Sequence, residues 1–155
     1  GCDEPDFARI EAALEPMSRA TFRAGDHGAG QAAKICNNMI LGISMIGVCE
    51  AFVLAEKLGL SHQALFDVSS TSSGQCWSLT SYCPVPGVGP QSPADNDYQG
   101  GFASALMLKD LKLAMEAAGT SGASVPMGAR AKELYEAFNA GGNGGLDFSA
   151  IIKTL

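Results

Sequence analysis

The chain has 155 residues, of which 46% are hydrophobic and 17% are charged, the composition of one globular domain with a substantial core. Its formal net charge of −6 argues against a protein that binds nucleic acid through a basic face. The most apolar stretch, residues 39–60, carries Glu50, Glu56 and Lys57, which argues against a membrane-spanning helix.

The five cysteines form no C-x-x-C pair, and their number is odd. This usage is typical of buried, reduced thiols in an intracellular protein. We expect no zinc site, because neither His27 nor His62 stands at ligand spacing from another candidate ligand. The cysteines are Cys2, Cys36, Cys49, Cys76 and Cys83.

The first 26 residues predict one helix and one strand. Apolar residues recur at helical spacing within 3–17, and acidic residues precede them, as the helix dipole favours. Residues 20–24 predict a short strand that ends at Gly25. Because one helix and one strand cannot form a sheet domain, we expect residues 1–26 to be the end of a domain that is otherwise absent from this chain.

A single long helix is predicted from about residue 29 to residue 58. This stretch lacks proline, and its apolar residues lie on nearly all sides of the helix. Roughly thirty residues at 1.5 Å each give a rod of about 45 Å, which we expect to lie inside an α-helical domain or a dimer. Gly59 is positioned to end this helix, and Ser61 to cap the next one.

The rest of the chain also predicts helices. A polar turn at 69–74 precedes a short helical piece at 77–79, and an irregular loop rich in proline and glycine covers 83–97. Three helices follow, the last two separated by a glycine-rich turn. They are expected at residues 103–118, 126–140 and 148–154. The fold class predicted for 27–155 is therefore all-α.

The start of the long helix contains a possible nucleotide motif. Gly28-x-Gly30-x-x-Ala33 matches the dinucleotide-binding pattern G-x-G-x-x-G/A. That motif requires a second strand that ends in an acid about 20 residues on, whereas here the helical pattern continues through Glu50. We therefore interpret the glycines as the start of a closely packed helix.

Lys34 and Asn38 are the candidate chemical groups of this helix. Their four-residue spacing places both side chains on one face, one turn apart. On a buried helix such groups are costly to desolvate without a partner or a task. From the helix alone, a solvent-exposed lysine is the alternative interpretation.

Several uncommon motifs occur in order along the chain. They are G-x-G-x-x-x-K-x-x-N-N at 28–38, Ile43-Ser-Met-Ile-Gly47, Ser73-Gly-Gln-Cys-Trp77-Ser, Pro84-Val-Pro-Gly-Val88, Tyr98-Gln-Gly-Gly-Phe102 and Leu106-Met-Leu-Lys109-Asp110-Leu111. In this series the chain resembles the β-hydroxyacid dehydrogenase family, and within it the 3-hydroxyisobutyrate dehydrogenases. The resemblance implies a two-domain enzyme with an N-terminal Rossmann domain. Residues 1–26 would then be the remnant of that domain, and residues 27–155 the helical domain of the 6-phosphogluconate-dehydrogenase-like type, for catalysis and dimerisation.

The resemblance also implies roles for five residues. Lys34 corresponds to the general acid/base of the family, and Asn38 to its substrate-positioning amide. Lys109, Phe102 and Asp110 would lie on the side of the cleft that meets the cofactor. The alternative for Lys109 and Asp110 is an ordinary exposed charged pair on a helix.

The implied reaction is the NAD-dependent oxidation of 3-hydroxyisobutyrate to methylmalonate semialdehyde in valine degradation, with NADP as the possible alternative cofactor. A tartronate-semialdehyde or succinic-semialdehyde reductase of the same family shares Lys34 and Asn38, so these residues do not discriminate. A non-catalytic helical dimerisation module is expected to lack the lysine. We expect a homodimer or homotetramer, no activity or bound cofactor in this chain alone, and a cytoplasmic location in a bacterium or the mitochondrial matrix in a eukaryote.

Overall fold

The computed structural model describes residues 1–155, and all of its regular elements are helices. The α-helices are α1 (Phe7–Leu14), α2 (Ala29–Lys57), α3 (His62–Ser69), α4 (Trp77–Thr80), α5 (Ser104–Ser121) and α6 (Pro126–Phe138). Short 3-10 helices cover Glu4–Asp6, Glu15–Met17, Pro93–Asn96 and Phe148–Thr154, and a π-helical turn covers Asn139–Asn143. The all-α fold class is confirmed.

The chain divides into two compact units, residues 1–37 and residues 38–155, and the division falls within α2. This division by contacts lies eleven residues beyond the predicted domain boundary at 26/27. The assignment of residues 1–26 to a Rossmann domain depends on the resemblance and stays a prediction.

In the first unit the predicted helix is confirmed and the predicted strand is wrong. Only its middle part, α1, is α-helical, and 3-10 turns at Glu4–Asp6 and Glu15–Met17 flank it on both sides. Residues 20–24 adopt no regular structure. A strand is defined by its pairing with a neighbour, and residues 20–24 have no ladder partner in this chain. The segment is held instead by bonds to the start of the chain, including one from Arg23 Nε to the Cys2 carbonyl oxygen at 3.0 Å.

The predicted long helix is confirmed as α2. Its C-terminal two-thirds contribute Met45, Cys49 and Phe52, all fully buried, to the core of the second unit. Gly42 allows α5 to approach, because a Cβ at this position would lie 3.1 Å from Met107 Sδ and 3.3 Å from Leu111 Cδ2. Further along the core, α5 and α6 pack on each other and on the Phe148–Thr154 segment.

The predicted boundary between α2 and α3 is also confirmed. Gly59 has a φ of +78°, the left-handed conformation that glycine adopts easily after a helix. The amide of Leu60 then bonds back to the Ala55 carbonyl at 2.9 Å. Ser61 Oγ accepts a hydrogen bond from the Ala64 amide at 3.2 Å and so caps α3.

By length and mean hydropathy, which reaches 1.9, α2 also meets the criteria for a membrane-spanning helix, contrary to the expectation from sequence. The core helix of a soluble protein has the same length and hydropathy. The packing of Met45, Cys49 and Phe52 against other helices supports its interpretation as a core helix.

All five cysteines are free thiols, as expected, but they are not all buried. Cys2, Cys49 and Cys83 are buried, whereas Cys36 is exposed. Burial is the main cause that raises the pKa of both the Cys49 and the Cys83 thiol. These two thiols therefore stay protonated and behave as small apolar groups.

Candidate functional site

A buried carboxylate on α5 holds two of the predicted site residues together. Asn38 Nδ2 donates a hydrogen bond to Asp110 Oδ2 at 2.6 Å, across 72 residues of sequence. On the other oxygen, Lys109 Nζ lies 3.3 Å from Asp110 Oδ1. The Asp110 side chain is 4% exposed, and that of Lys109 is 60% exposed. Asn38, Asp110 and Lys109 thus form a charged cluster. Its carboxylate is buried and its ammonium group is exposed to solvent.

The packing of α5 explains this arrangement. Met107 and Leu111, on either side of the pair, are fully buried and fix the rotation of the helix. With that rotation, Asp110 lies on the inner side next to α2 and Lys109 on the outer side. A buried carboxylate requires donors, and the Asn38 amide and the Lys109 ammonium supply them. The bond to Asp110 in turn fixes the plane and the direction of the Asn38 amide.

Lys34 lies in the second turn of α2, in the first unit, and its side chain is exposed in this chain. The burial expected for this part of the helix, in an α-helical domain or a dimer, is not present within this chain. The fully buried residues of α2 begin at Gly42, although α5 and α6 already reach the helix at Asn38 and Met39. The general acid/base role of Lys34 stays a prediction.

Phe102 lies just before α5 and is half-buried. Its amide donates to Asp147 Oδ2 at 2.8 Å, and its ring packs edge-to-face on Phe148 with centroids 5.9 Å apart. Lys109 lies two turns further along the same segment. The structure thus fixes the backbone of Phe102 firmly, while its contact with a cofactor stays a prediction.

The structure also brings together residues that sequence reasoning missed. Asp147 is fully buried and accepts hydrogen bonds from four groups. One of them is the hydroxyl of Tyr82, whose ring stacks on Trp77 with centroids 4.8 Å apart. The available signal was Asp147-x-Ser149 before the last helix, a capping pattern. This pattern indicates the bonds from Ser149 to Asp147 but not those from Tyr82 and Phe102.

The start of α2 is not a dinucleotide-binding loop. The glycines of the Gly28-x-Gly30-x-x-Ala33 motif lead into a helix of 29 residues, and no strand or sheet is present in residues 1–155. The βαβ unit that such a motif serves is therefore missing from this chain. The interpretation of these glycines as a helix start is confirmed.

Comparison with known proteins gives a consistent result. Residues 28–155 match the family described as "NAD-binding of NADP-dependent 3-hydroxyisobutyrate dehydrogenase". A probable 3-hydroxyisobutyrate dehydrogenase of Mycobacterium tuberculosis is 52% identical over 155 residues, which are 100% of this chain and 52% of that protein. The 3-hydroxyisobutyrate dehydrogenase of Pseudomonas aeruginosa is 52% identical over 149 residues, which are 95% of this chain and 50% of the relative.

A solved structure is similar as well. The 3-hydroxyisobutyrate dehydrogenase of Mycobacterium tuberculosis with L-serine superposes with a TM-score of 0.94 at 52% sequence identity. The match covers 99% of this chain and 53% of that one. The chain thus spans about half the length of the curated relatives it matches. The family match over residues 28–155 and these identities show that the chain belongs to the 3-hydroxyisobutyrate dehydrogenase family.

Proposed function

We propose that this chain forms the helical half of an NAD(P)-dependent dehydrogenase that oxidises 3-hydroxyisobutyrate to methylmalonate semialdehyde, a step of valine degradation. The observation that carries the proposal is the cluster of Asn38, Asp110 and Lys109. Asn38 was assigned to the site from one motif and the neighbours Lys109 and Asp110 from another, and a hydrogen bond between Asn38 and Asp110 joins the two motifs. An ordinary exposed charged pair does not account for a carboxylate that is 4% exposed.

In the proposed reaction the hydroxyl carbon of the substrate loses a hydride while its oxygen loses a proton. The bound dinucleotide supplies the hydride acceptor. Lys34 takes the hydroxyl proton on Nζ in the oxidation and returns it in the reverse reaction. This role requires surroundings that disfavour the ammonium form of the lysine. We propose that such surroundings exist only when the exposed start of α2 is covered in the complete enzyme.

Asn38 is proposed to orient the hydroxy acid. A side-chain amide recognises a hydroxyl or carboxylate only if its plane is fixed, and the bond to Asp110 supplies that constraint. The burial of Asp110 favours a positioning role for this carboxylate. A direct contact between Asp110 and the cofactor, expected from the resemblance, stays a prediction.

Lys109 and Phe102 have the chemistry needed to contact one side of a dinucleotide. The exposed ammonium of Lys109 suits a phosphate or a polar group of the cofactor, and the half-buried ring of Phe102 provides an apolar surface near it in sequence. The choice between NAD and NADP depends on groups around the ribose, which in Rossmann domains lie on the second strand. No such strand is present in this chain.

Two further properties are proposed from the family. A homodimer or homotetramer is supported by large apolar side chains that α2 leaves open, among them Ile40 at 64% and Leu54 at 58% exposure. The human and Drosophila melanogaster relatives are named mitochondrial. We therefore propose the mitochondrial matrix if the source is a eukaryote, and the cytoplasm if it is a bacterium.

The reaction is tested by a substrate panel with a full-length enzyme that contains this chain. 3-Hydroxyisobutyrate, glycerate, 4-hydroxybutyrate and L-serine are compared with NAD⁺ and NADP⁺ by the appearance of the reduced cofactor. We expect the highest kcat/KM for 3-hydroxyisobutyrate. Higher values for glycerate or 4-hydroxybutyrate would favour the tartronate- or succinic-semialdehyde reductases instead. No turnover with any of the four would favour a non-catalytic dimerisation module.

A further inference from the structure

Asp147 is a fully buried carboxylate of the second unit with four hydrogen-bond donors around it. Its Oδ1 accepts from the amide of Ser149 at 2.9 Å and from the Ser149 hydroxyl at 2.6 Å. Its Oδ2 accepts from the Tyr82 hydroxyl at 2.8 Å and from the Phe102 amide at 2.8 Å. Capping the last helix requires only the first pair, so the second pair needs another explanation.

The second pair of bonds belongs to a row of four aromatic rings. Trp77 stacks on Tyr82 at 4.8 Å, Tyr82 contacts Phe148 at 5.5 Å, and Phe148 contacts Phe102 at 5.9 Å, each measured between ring centroids. Phe148 is 1% exposed, whereas Trp77 at one end is 52% exposed and Phe102 at the other is half-buried. Asp147 bonds to one residue on each side of the buried middle of this row.

The segment before Phe102 is built around the same carboxylate. Asp97, Tyr98, Gly100 and Gly101 all have positive φ, which is unusual for the first two. The Asp147 amide donates to the Tyr98 carbonyl at 2.9 Å, and a Cβ on Gly101 would overlap with Asp147 Oδ2 and with the Tyr82 hydroxyl. A backbone this constrained needs contacts that hold it in place.

We propose that Asp147 is a positioning residue, which holds Phe102 through its amide and Trp77 through the Tyr82 hydroxyl, so that both open ends of the aromatic row are fixed by one buried carboxylate. The functional part of this inference rests on the proposed function, because it assumes that Phe102 faces the dinucleotide. Hydrogen bonds to a carboxylate are stronger than those between neutral groups, which suits a group that must hold two separate segments.

The state of Tyr82 agrees with this role. Burial first, and then the hydrogen bond to Asp147, raise the pKa of the Tyr82 hydroxyl above its ordinary value. The hydroxyl therefore remains a neutral donor throughout the pH range in which the enzyme can be assayed.

Fluorescence tests the Trp77 end directly, because Trp77 is the single tryptophan of the chain. In the 155-residue chain, Tyr82→Phe and Asp147→Ala are both expected to lower the steady-state anisotropy of Trp77 and to shift its emission. Asp147→Asn keeps one acceptor oxygen and should recover part of the change. Tyr135→Phe is the control: it removes another buried tyrosine hydroxyl, which bonds to the Phe148 carbonyl at 3.1 Å and makes no hydrogen bond to Tyr82 or Asp147.

Kinetics of the full-length enzyme test the Phe102 end. Asp147→Ala should raise KM for the dinucleotide roughly two- to tenfold, the range expected for one lost hydrogen bond, whereas Tyr82→Phe should leave it unchanged. If Asp147→Ala does not fold, Asp147→Asn and Tyr82→Phe are compared with the wild type instead, by the same two measurements. Trp77 fluorescence that is unchanged in these variants, or changed as much by Tyr135→Phe, would overturn the inference. An inactive wild type would count against the proposed function, while the fluorescence would still decide the role of Asp147.

Discussion

Lys109 shows how a single residue can be tested apart from the fold. Its ammonium is 60% exposed and lies 3.3 Å from the buried Asp110, so the end that meets solvent is available to a ligand. Lys112 lies one turn further along α5, is 48% exposed and is paired with Glu136 at 3.3 Å. The two lysines thus share a helix and a similar exposure but differ in the carboxylate beside them.

We predict that Lys109→Met raises KM for the dinucleotide roughly two- to tenfold in the full-length enzyme, because it removes one charged contact and leaves α5 intact. KM for the hydroxy acid should change much less. Lys112→Met, the matched control, should leave both values near those of the wild type. Equal effects of the two substitutions would mean that the cluster has no special relation to the cofactor.

The candidate residues differ in how much of their surroundings the sequence predicts. Lys34, Asn38, Lys109 and Asp110 were singled out as candidates by their motifs, whereas the helical pattern left open whether Lys34 is exposed, as it is in this chain. An apolar pattern on all sides of a helix does not say where along the helix its neighbours begin. Asp147 was missed because its partners Tyr82 and Phe102 are 65 and 45 residues away, and no local pattern indicates them.

Among the elements, those whose ends depend on local chemistry were predicted best. Gly59 and Ser61 stop one helix and start the next by their own backbone and side-chain preferences. The strand at 20–24 failed for the opposite reason, since β-propensity has no effect without a neighbouring strand. The loop at 83–97 was predicted as irregular, but its 3-10 helix Pro93–Asn96 was not expected.

That 3-10 helix provides a test of pH dependence. The exposed Asp95 accepts hydrogen bonds from the Gly87 amide at 2.6 Å and the Ser92 amide at 2.9 Å, and these bonds hold the pKa of its carboxyl below the ordinary value. Because the pKa is lower in the folded than in the unfolded chain, the stabilisation is complete above the unfolded pKa of about 3.9. It is lost as the pH falls through the lower folded value.

We predict that Asp95→Asn lowers the free energy of unfolding at pH 7 and that the difference from wild type shrinks as the pH falls below about 4. Urea unfolding at several pH values measures this. Asp97→Asn is the control, because it removes an exposed carboxylate from the same loop at a position whose φ of +49° asparagine tolerates. A deficit of Asp95→Asn that stays constant down to acidic pH would contradict the assignment.

In the molecule as a whole, the packing of the second unit decides where the candidate site residues lie. Its core fixes α2 and α5, and these helices place Asn38, Asp110 and Lys109 together. Lys34 lies in the other unit and is exposed. Since the chain spans about half the length of its relatives, we expect no turnover from the 155 residues alone.

The most direct test of the proposed function is the turnover of Lys34→Ala in the full-length enzyme, with 3-hydroxyisobutyrate and saturating dinucleotide. Loss of the proton acceptor should lower kcat at least about a hundredfold, the lower limit of a typical general acid/base contribution, with dinucleotide affinity nearly intact. Lys57→Ala, which removes a lysine from the other end of α2, should keep wild-type turnover. A Lys34→Ala enzyme that turns over at the wild-type rate would contradict the assignment of Lys34 as the catalytic base.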